Sequence, residues 1–134
     1  MKRIKDVLRD MGVPASMPRI CIYDYLLSQK THPSADMVYM ALHPQMPSLS
    51  RTTVYNTLRM LCDKGLVKQI PICEGDMRFD ADVSEHGHFW CRKCGRVIDI
   101  DAPHIATKQS HKMIGDIDEI QVVLIGSCNE CKES

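Results

Sequence analysis

The chain has 134 residues, 44% hydrophobic and 25% charged, the balance of one ordinary globular domain or two small ones. No run of 18 apolar residues occurs, and no apolar stretch follows Met1-Lys2-Arg3-Ile4-Lys5-Asp6; no membrane span or secretory signal is expected, and a cytoplasmic location is. Seventeen basic residues balance seventeen acidic ones, which argues against indiscriminate polyanion binding, yet residues 1–80 carry 11 Lys/Arg against 8 Asp/Glu and residues 81–134 carry 6 against 9.

In chain order, residues 2–11 form a first helix, ended by Gly12 and Pro14. Pro18 suits the start of a second, in which Ile20, Tyr23, Leu26 and Leu27 recur at helical spacing as far as Gln29. Ser34 is the N-cap of a third, with Val38, Ala41 and Leu42 inward and Pro44 and Pro47 closing it. Ser50 caps a fourth that runs to Asp63-Lys64 and stops at Gly65. Two short strand-like runs follow, Leu66 to Ile72 and Asp76 to Phe79, separated by Cys73-Glu74-Gly75. Helices followed by a small hairpin is the order of a winged helix-turn-helix. The expected fold is α+β: a winged helix over residues 1–80, a polar hinge over 81–87, and a small α/β domain over 88–134 with strands at His88 to Trp90, Arg96 to Ile100 and Ile117 to Ile125 and a helix near 104–113.

The fourth helix has two faces. Val54, Leu58, Leu61 and Cys62 fall on one side at i, i+4, i+7 and i+8. Arg51, Tyr55 and Arg59 line the other, flanked by Thr52 and Asn56. Arginine can donate to guanine or phosphate, asparagine matches adenine, and Thr or Tyr can touch thymine methyls or phosphates. Arg51, Thr52 and Tyr55 sit where a recognition helix reaches base edges. An ordinary solvated face carries similar residues; the hairpin behind it, with Lys68 and Arg78 near a DNA backbone, favours double-stranded DNA, and neutral overall charge favours a dimer reading specific sequence.

Seven cysteines without a secretory signal read as metal ligands or reactive thiols. Cys91, Cys94, Cys128 and Cys131 form C-x2-C-x33-C-x2-C, four soft thiolates suited to tetrahedral Zn²⁺. Four protein ligands leave no open position, so the zinc is structural; a pair of redox disulfides is the competing reading. Cys21, Cys62 and Cys73 have no such partner.

His86-Gly87-His88 places two imidazoles on one face of an extended chain. With Asp80, Asp99 and His32 it makes a set of three nitrogens and two oxygens suited to Fe²⁺ or Mn²⁺, with Zn²⁺ as competitor. Ligands from His32, from Asp80, His86 and His88, and from Asp99 would let one ion crosslink the two domains, although spacing alone does not bring His32 and the aspartates together. His43, His104 and His111 read as surface or helix residues.

Taken in order, His32-Pro33-Ser34-Ala35-Asp36, Ser50-Arg51-Thr52-Thr53-Val54-Tyr55-Asn56-Thr57-Leu58, Gly65-Leu66-Val67, Arg78-Phe79-Asp80, His86 through Gly95 and the closing Cys128 and Cys131 resemble the ferric uptake regulator superfamily over nearly the whole length, and its peroxide-sensing branch most. The resemblance implies a winged helix, a dimerisation domain, a four-cysteine zinc site, and a regulatory Fe(II) or Mn(II) between domains held by His32, Asp80, His86, His88 and Asp99. It implies a repressor, not an enzyme, that binds a palindromic operator as a homodimer and senses peroxide by iron-catalysed oxidation of His32 and His86. The branch is argued from Asp99, where iron-sensing relatives usually carry glutamate; iron- or zinc-responsive repression of metal uptake genes is the alternative. Glu85, Gly87 and Glu119-Ile120 stand where some relatives hold an additional metal, so that site is expected to be lost, and the Cys94–Cys128 interval is slightly short.

Overall fold

The computed structural model describes residues 3–71, 77–83, 87–100, 114–116 and 120–132. The chain divides into two compact units, Met1–Val83 and Ser84–Ser134. No helix among the described residues is long and apolar enough to cross a membrane.

The first unit opens with four helices, α1 (Ile4–Asp10), α2 (Met17–Ser28), α3 (Ala35–Leu42) and α4 (Arg51–Asp63). Two serines set where α3 and α4 begin: Ser34 Oγ accepts from Met37 N at 3.2 Å and Ser50 Oγ from Thr53 N at 3.1 Å, each satisfying one of the orphan N–H groups of a helix start. Gly65, at φ +74°, ends α4; its N–H reaches the Cys62 carbonyl while the Leu66 N–H reaches that of Leu61, both at 3.0 Å, a Schellman closure that needs the left-handed conformation glycine adopts without strain.

Packing follows the inward faces. Val54, Leu58 and Leu61 of α4 are fully buried and share a core with Leu8, Ile22, Leu26, Val38, Val67 and Phe79. Cys62 is only partly buried, and Thr57 completes the inner face. One inward assignment is corrected. Ala41 is exposed, because Ala35, Val38 and Leu42 at i, i+3 and i+7 form the α3 stripe that meets α4. On α2, Leu27 is 41% exposed; that helix is apolar on several sides and packs through Ile22, Tyr23 and Leu26.

Strands β1 (Lys68–Ile70) and β2 (Arg78–Asp80) then pair antiparallel, Lys68 opposite Asp80. They are shorter than the runs read from sequence, and the turn at Cys73-Glu74-Gly75 lies outside the described residues. Helices followed by this two-stranded ribbon make the winged helix. β2 also bridges Ser34 to Arg78, and the Phe79 N–H bonds the Pro33 carbonyl at 3.0 Å, so the ribbon clips the loop that leads into α3.

Among its described residues the second unit holds a three-stranded sheet in the order β4-β3-β5, with β3 (Gly87–Cys91) central, β4 (Val97–Ile100) antiparallel to it and β5 (Val123–Gly126) parallel. On this central strand Gly87, His88, Trp90 and Cys91 are all buried. A short helix α5 (Asn129–Lys132) closes the chain. The helix expected near 104–113 and residues 117–119 of the strand expected over Ile117 to Ile125 lie outside the described residues; Ile120 to Val122 are not in strand, which begins at Val123 and runs one residue further than expected, to Gly126.

Candidate metal sites and nucleic-acid face

In the first unit, His32 sits just before α3, 4% exposed, with φ at +54°. A non-glycine residue there is held by its surroundings. Arg78 of β2 donates from a guanidinium nitrogen to the His32 carbonyl at 3.1 Å, and the bond from Phe79 to Pro33 fixes the next residue. His32 Nε2 consequently lies 3.2 Å from Asp80 Oδ2. The other Asp80 oxygen accepts from Asp82 N at 2.9 Å, an Asx-type turn that holds the carboxylate in place. Arg78, read from sequence as a residue near a DNA backbone, is half-buried and commits a donor to the histidine loop.

In the second unit, sheet register makes the corresponding pair. His88 stands directly across from Asp99, and His88 Nε2 lies 3.3 Å from Asp99 Oδ1. The imidazole is buried and the carboxylate 44% exposed. Each unit thus presents one histidine and one aspartate side by side. His86, the remaining member of the predicted set, lies outside the described residues, as do His104 and His111.

The four cysteines of the two C-x2-C pairs converge within the second unit. Their sulfurs all lie within 4.8 Å of one another, and Cys94 Sγ is 3.9 Å from Cys128 Sγ. A tetrahedral ion with Zn–S bonds of about 2.3 Å sets its sulfurs about 3.8 Å apart, so the cluster fits zinc. Cys91 and Cys128 are buried. Gly95, at φ +77°, turns the first knuckle and donates to the Cys91 carbonyl at 2.8 Å. The N–H groups of Cys128 and Cys94 point at the Cys91 sulfur from 3.3 and 3.5 Å and pull its thiol down to about 6, while hydrogen bonding to the Cys128 side chain, then burial, pushes Cys131 up to about 12. Cysteine ligates a metal as the thiolate, and four sulfurs gathered this closely suit a dication.

On α4, Arg51, Thr52, Tyr55, Asn56 and Arg59 are all exposed, opposite the buried Val54, Leu58 and Leu61. One relationship on this face escaped the sequence reading. Arg51 forms an ion pair with Asp36 of α3, and its guanidinium carbon lies 4.3 Å above the centre of the Tyr39 ring. Tyr39 in turn stacks on His43, ring centres 4.9 Å apart. Positions 36, 39 and 43 share one helix face; nothing local in sequence says that this face meets the start of α4.

The model of the Ferric uptake regulator family matches residues 10–122. The chain is 36% identical over 129 residues to the peroxide-responsive repressor PerR of Staphylococcus epidermidis (strain ATCC 12228 / FDA PCI 1200), covering 94% of this chain and 86% of that protein. Among solved structures, the ferric uptake regulator from Pseudomonas aeruginosa with manganese superposes with a TM-score of 0.74 at 28% identity, covering 96% of this chain and 99% of the other. The Campylobacter jejuni peroxide stress regulator superposes with a TM-score of 0.72 at 25% identity, covering 96% of each.

Proposed function

The chain belongs to the ferric uptake regulator family, whose members are dimeric DNA-binding transcriptional regulators and not enzymes, and on that premise we propose that it is a metal-dependent repressor that senses peroxide. It acts in the cytoplasm, beside the DNA it regulates. The observation that carries the reading is the matched pair of half-sites, His32 with Asp80 in one unit and His88 with Asp99 in the other. Two ligands are too few for a divalent transition metal. Both pairs with His86 supply three nitrogens and two oxygens, a set that Fe²⁺ or Mn²⁺ accepts.

In this reading the five side chains share one ion, and their role is geometric. Occupancy ties the winged helix to the dimerisation unit, so that in a homodimer the two α4 helices meet successive major grooves of a palindromic operator, about 34 Å apart or a multiple of it. With the ligands apart, only the small fraction of molecules in the competent arrangement binds. A coupling of about 1–3 kcal/mol, or 5–150-fold in affinity, is ordinary for such a switch. Arg51, Thr52, Tyr55, Asn56 and Arg59 face the DNA. The zinc held by the four cysteines has only a structural part.

The residues that would hold iron are His32, Asp80, His86, His88 and Asp99, and the metal would supply there the redox chemistry that activates peroxide, which manganese would not. His32 and His86 are the ligands that would be oxidised, each gaining one oxygen atom on its ring from peroxide, which is reduced by two electrons and leaves as one water; an oxidised imidazole no longer ligates, which releases the winged helices and derepresses the genes. The 36% identity to a peroxide-responsive repressor and the aspartate at position 99 support this signal over iron or zinc homeostasis.

The test is a gel shift on an operator selected from random duplexes, with zinc-loaded protein supplied with Fe²⁺ or Mn²⁺, before and after peroxide, and with mass spectrometry of the histidine peptides. Loss of binding in iron alone, with oxygen added to the His32 or His86 peptide, is the expected result. Equal loss in both metals indicates a thiol switch, and no loss in either indicates a metal-uptake repressor.

A further inference from the structure

We infer that Asp36 and Tyr39 of α3 determine specificity in DNA reading by clamping the Arg51 guanidinium, so that Arg51 is surrendered to a base edge in preference to a lone phosphate. The inference rests on α4 being the DNA-reading helix. Arg51 is the first residue of α4, where a positive charge opposes the helix dipole. The Asp36 carboxylate relieves that opposition, and the Tyr39 ring covers one face of the guanidinium. Tyr39 is itself backed by His43 at a 19° interplanar angle, so the ring is a firm platform. Both Arg51 and Asp36 remain about half exposed, at 53% and 49%, and thus within reach of a ligand.

Competition supplies the selectivity. A phosphate offers Arg51 one more anion in exchange for the carboxylate it already has, and in a helix-turn-helix the helix preceding the reader crosses the DNA backbone. Guanine offers two acceptors, O6 and N7, in a bidentate geometry matching the guanidinium fork. The clamp therefore lowers affinity for arbitrary duplexes more than for a site with guanine under Arg51. It acts through Arg51, so Asp36 and Tyr39 are positioning residues and not contacts.

The experiment uses full-length, zinc-loaded, Mn²⁺-supplied protein and two probes: a duplex enriched from a random pool by the parent, and a scrambled duplex of the same composition. Asp36→Asn is expected to raise affinity for the scrambled duplex about 2–5-fold, the size of a freed surface ion pair. It should steepen the log–log salt dependence by about 0.9, one more phosphate neutralised, and leave the enriched duplex nearly unchanged. Asp36→Glu is expected to restore the parental ratio. Tyr39→Leu is expected to move the ratio as Asp36→Asn does, and Tyr39→Phe to leave it. In an Arg51→Ala background, Asp36→Asn is expected no longer to change the salt slope. Equal changes on both duplexes, no change on either, or the same slope change without Arg51 would overturn the clamp while leaving DNA reading by α4 intact. Failure of the parent to enrich any duplex would overturn that reading and the clamp together.

Discussion

Asp80 Oδ2 lies 3.2 Å from His32 Nε2 although 48 positions separate the two residues in the chain. The contact exists because β2 clips the loop before α3 through Arg78 and Phe79, so the two candidate ligands arrive together by backbone design. Replacing Asp80 by Asn, or His32 by Ala, is expected to weaken the regulatory metal by about 10–100-fold or more, the scale seen when support around a metal ligand is lost. Zinc content should stay at the parental level. Metal titration of the zinc-loaded protein, with mass spectrometry for zinc, checks this; unchanged Mn²⁺ affinity in both variants would remove these residues from the site.

Asp99→Glu keeps the charge across from His88 and adds one methylene. It is expected to preserve metal-dependent operator binding while reducing its loss to peroxide in Fe²⁺, measured by the fraction of protein released at a fixed peroxide dose. An undiminished peroxide response in the variant would mean that the aspartate at this position does not set the signal.

Zinc is expected to hold the second unit together. That unit has three short strands among its described residues, and structural zinc contributes about 10–16 kcal/mol in small domains, comparable with the whole stability of a typical fold at about 5–15 kcal/mol. Cys128→Ser removes a buried ligand whose backbone N–H also bonds the Cys91 sulfur. The variant is expected to lose zinc, to lose the protection of Trp90 from solvent as read by fluorescence, and to run as a monomer in sedimentation. The winged helix should keep its helical circular dichroism.

Leu58 is fully buried in the first unit. Truncation to Ala is expected to destabilise that unit by about 2–5 kcal/mol, read as a lower denaturation midpoint with zinc content unchanged. The exposed Asn56, two positions earlier, is expected to tolerate Ala with a change within about 0.5 kcal/mol.

Much of this was legible because it is local. Serines 34 and 50, Gly65 and the 3.6-residue stripe of Val54, Leu58 and Leu61 specify α3 and α4 through hydrogen bonds and burial that span a few residues. The four-cysteine cluster was legible for another reason: four soft ligands in two knuckles have few other uses. What resisted was contact between distant segments. Neither the opposition of His88 and Asp99 nor the grip of Arg78 on the His32 carbonyl follows from spacing, since sheet register and loop docking are settled by the whole unit. Ala41 failed because α3 is apolar on more than one side, so periodicity alone does not select the buried face. Asp36 reads as a favourable acidic residue in a first helical turn, and only the approach of α4 gives it a second role.

Cys62 bears on which sulfur, if any, answers peroxide. Burial on α4, then the neighbouring Asp63 charge, pushes its thiol up to about 11 from an ordinary value of 9.0. Thiolate is the reactive form, and each unit of displacement lowers its fraction about tenfold at a pH well below both values. In the folded protein at pH 8, Cys62 is therefore expected to react with iodoacetamide about 100-fold more slowly than in urea-unfolded chain, and the rate should climb about tenfold per pH unit towards about 11. The sign for stability follows from the raised value: the contribution is fully present below about pH 9 and is lost as pH rises through about 11, because only the unfolded chain releases the proton in that interval. Mass spectrometry of the Cys62 peptide over a pH series gives both readings. A folded-state rate equal to the unfolded one would return Cys62 to consideration as a peroxide-reactive thiol, whereas the expected lag removes Cys62 from the thiols that could answer peroxide.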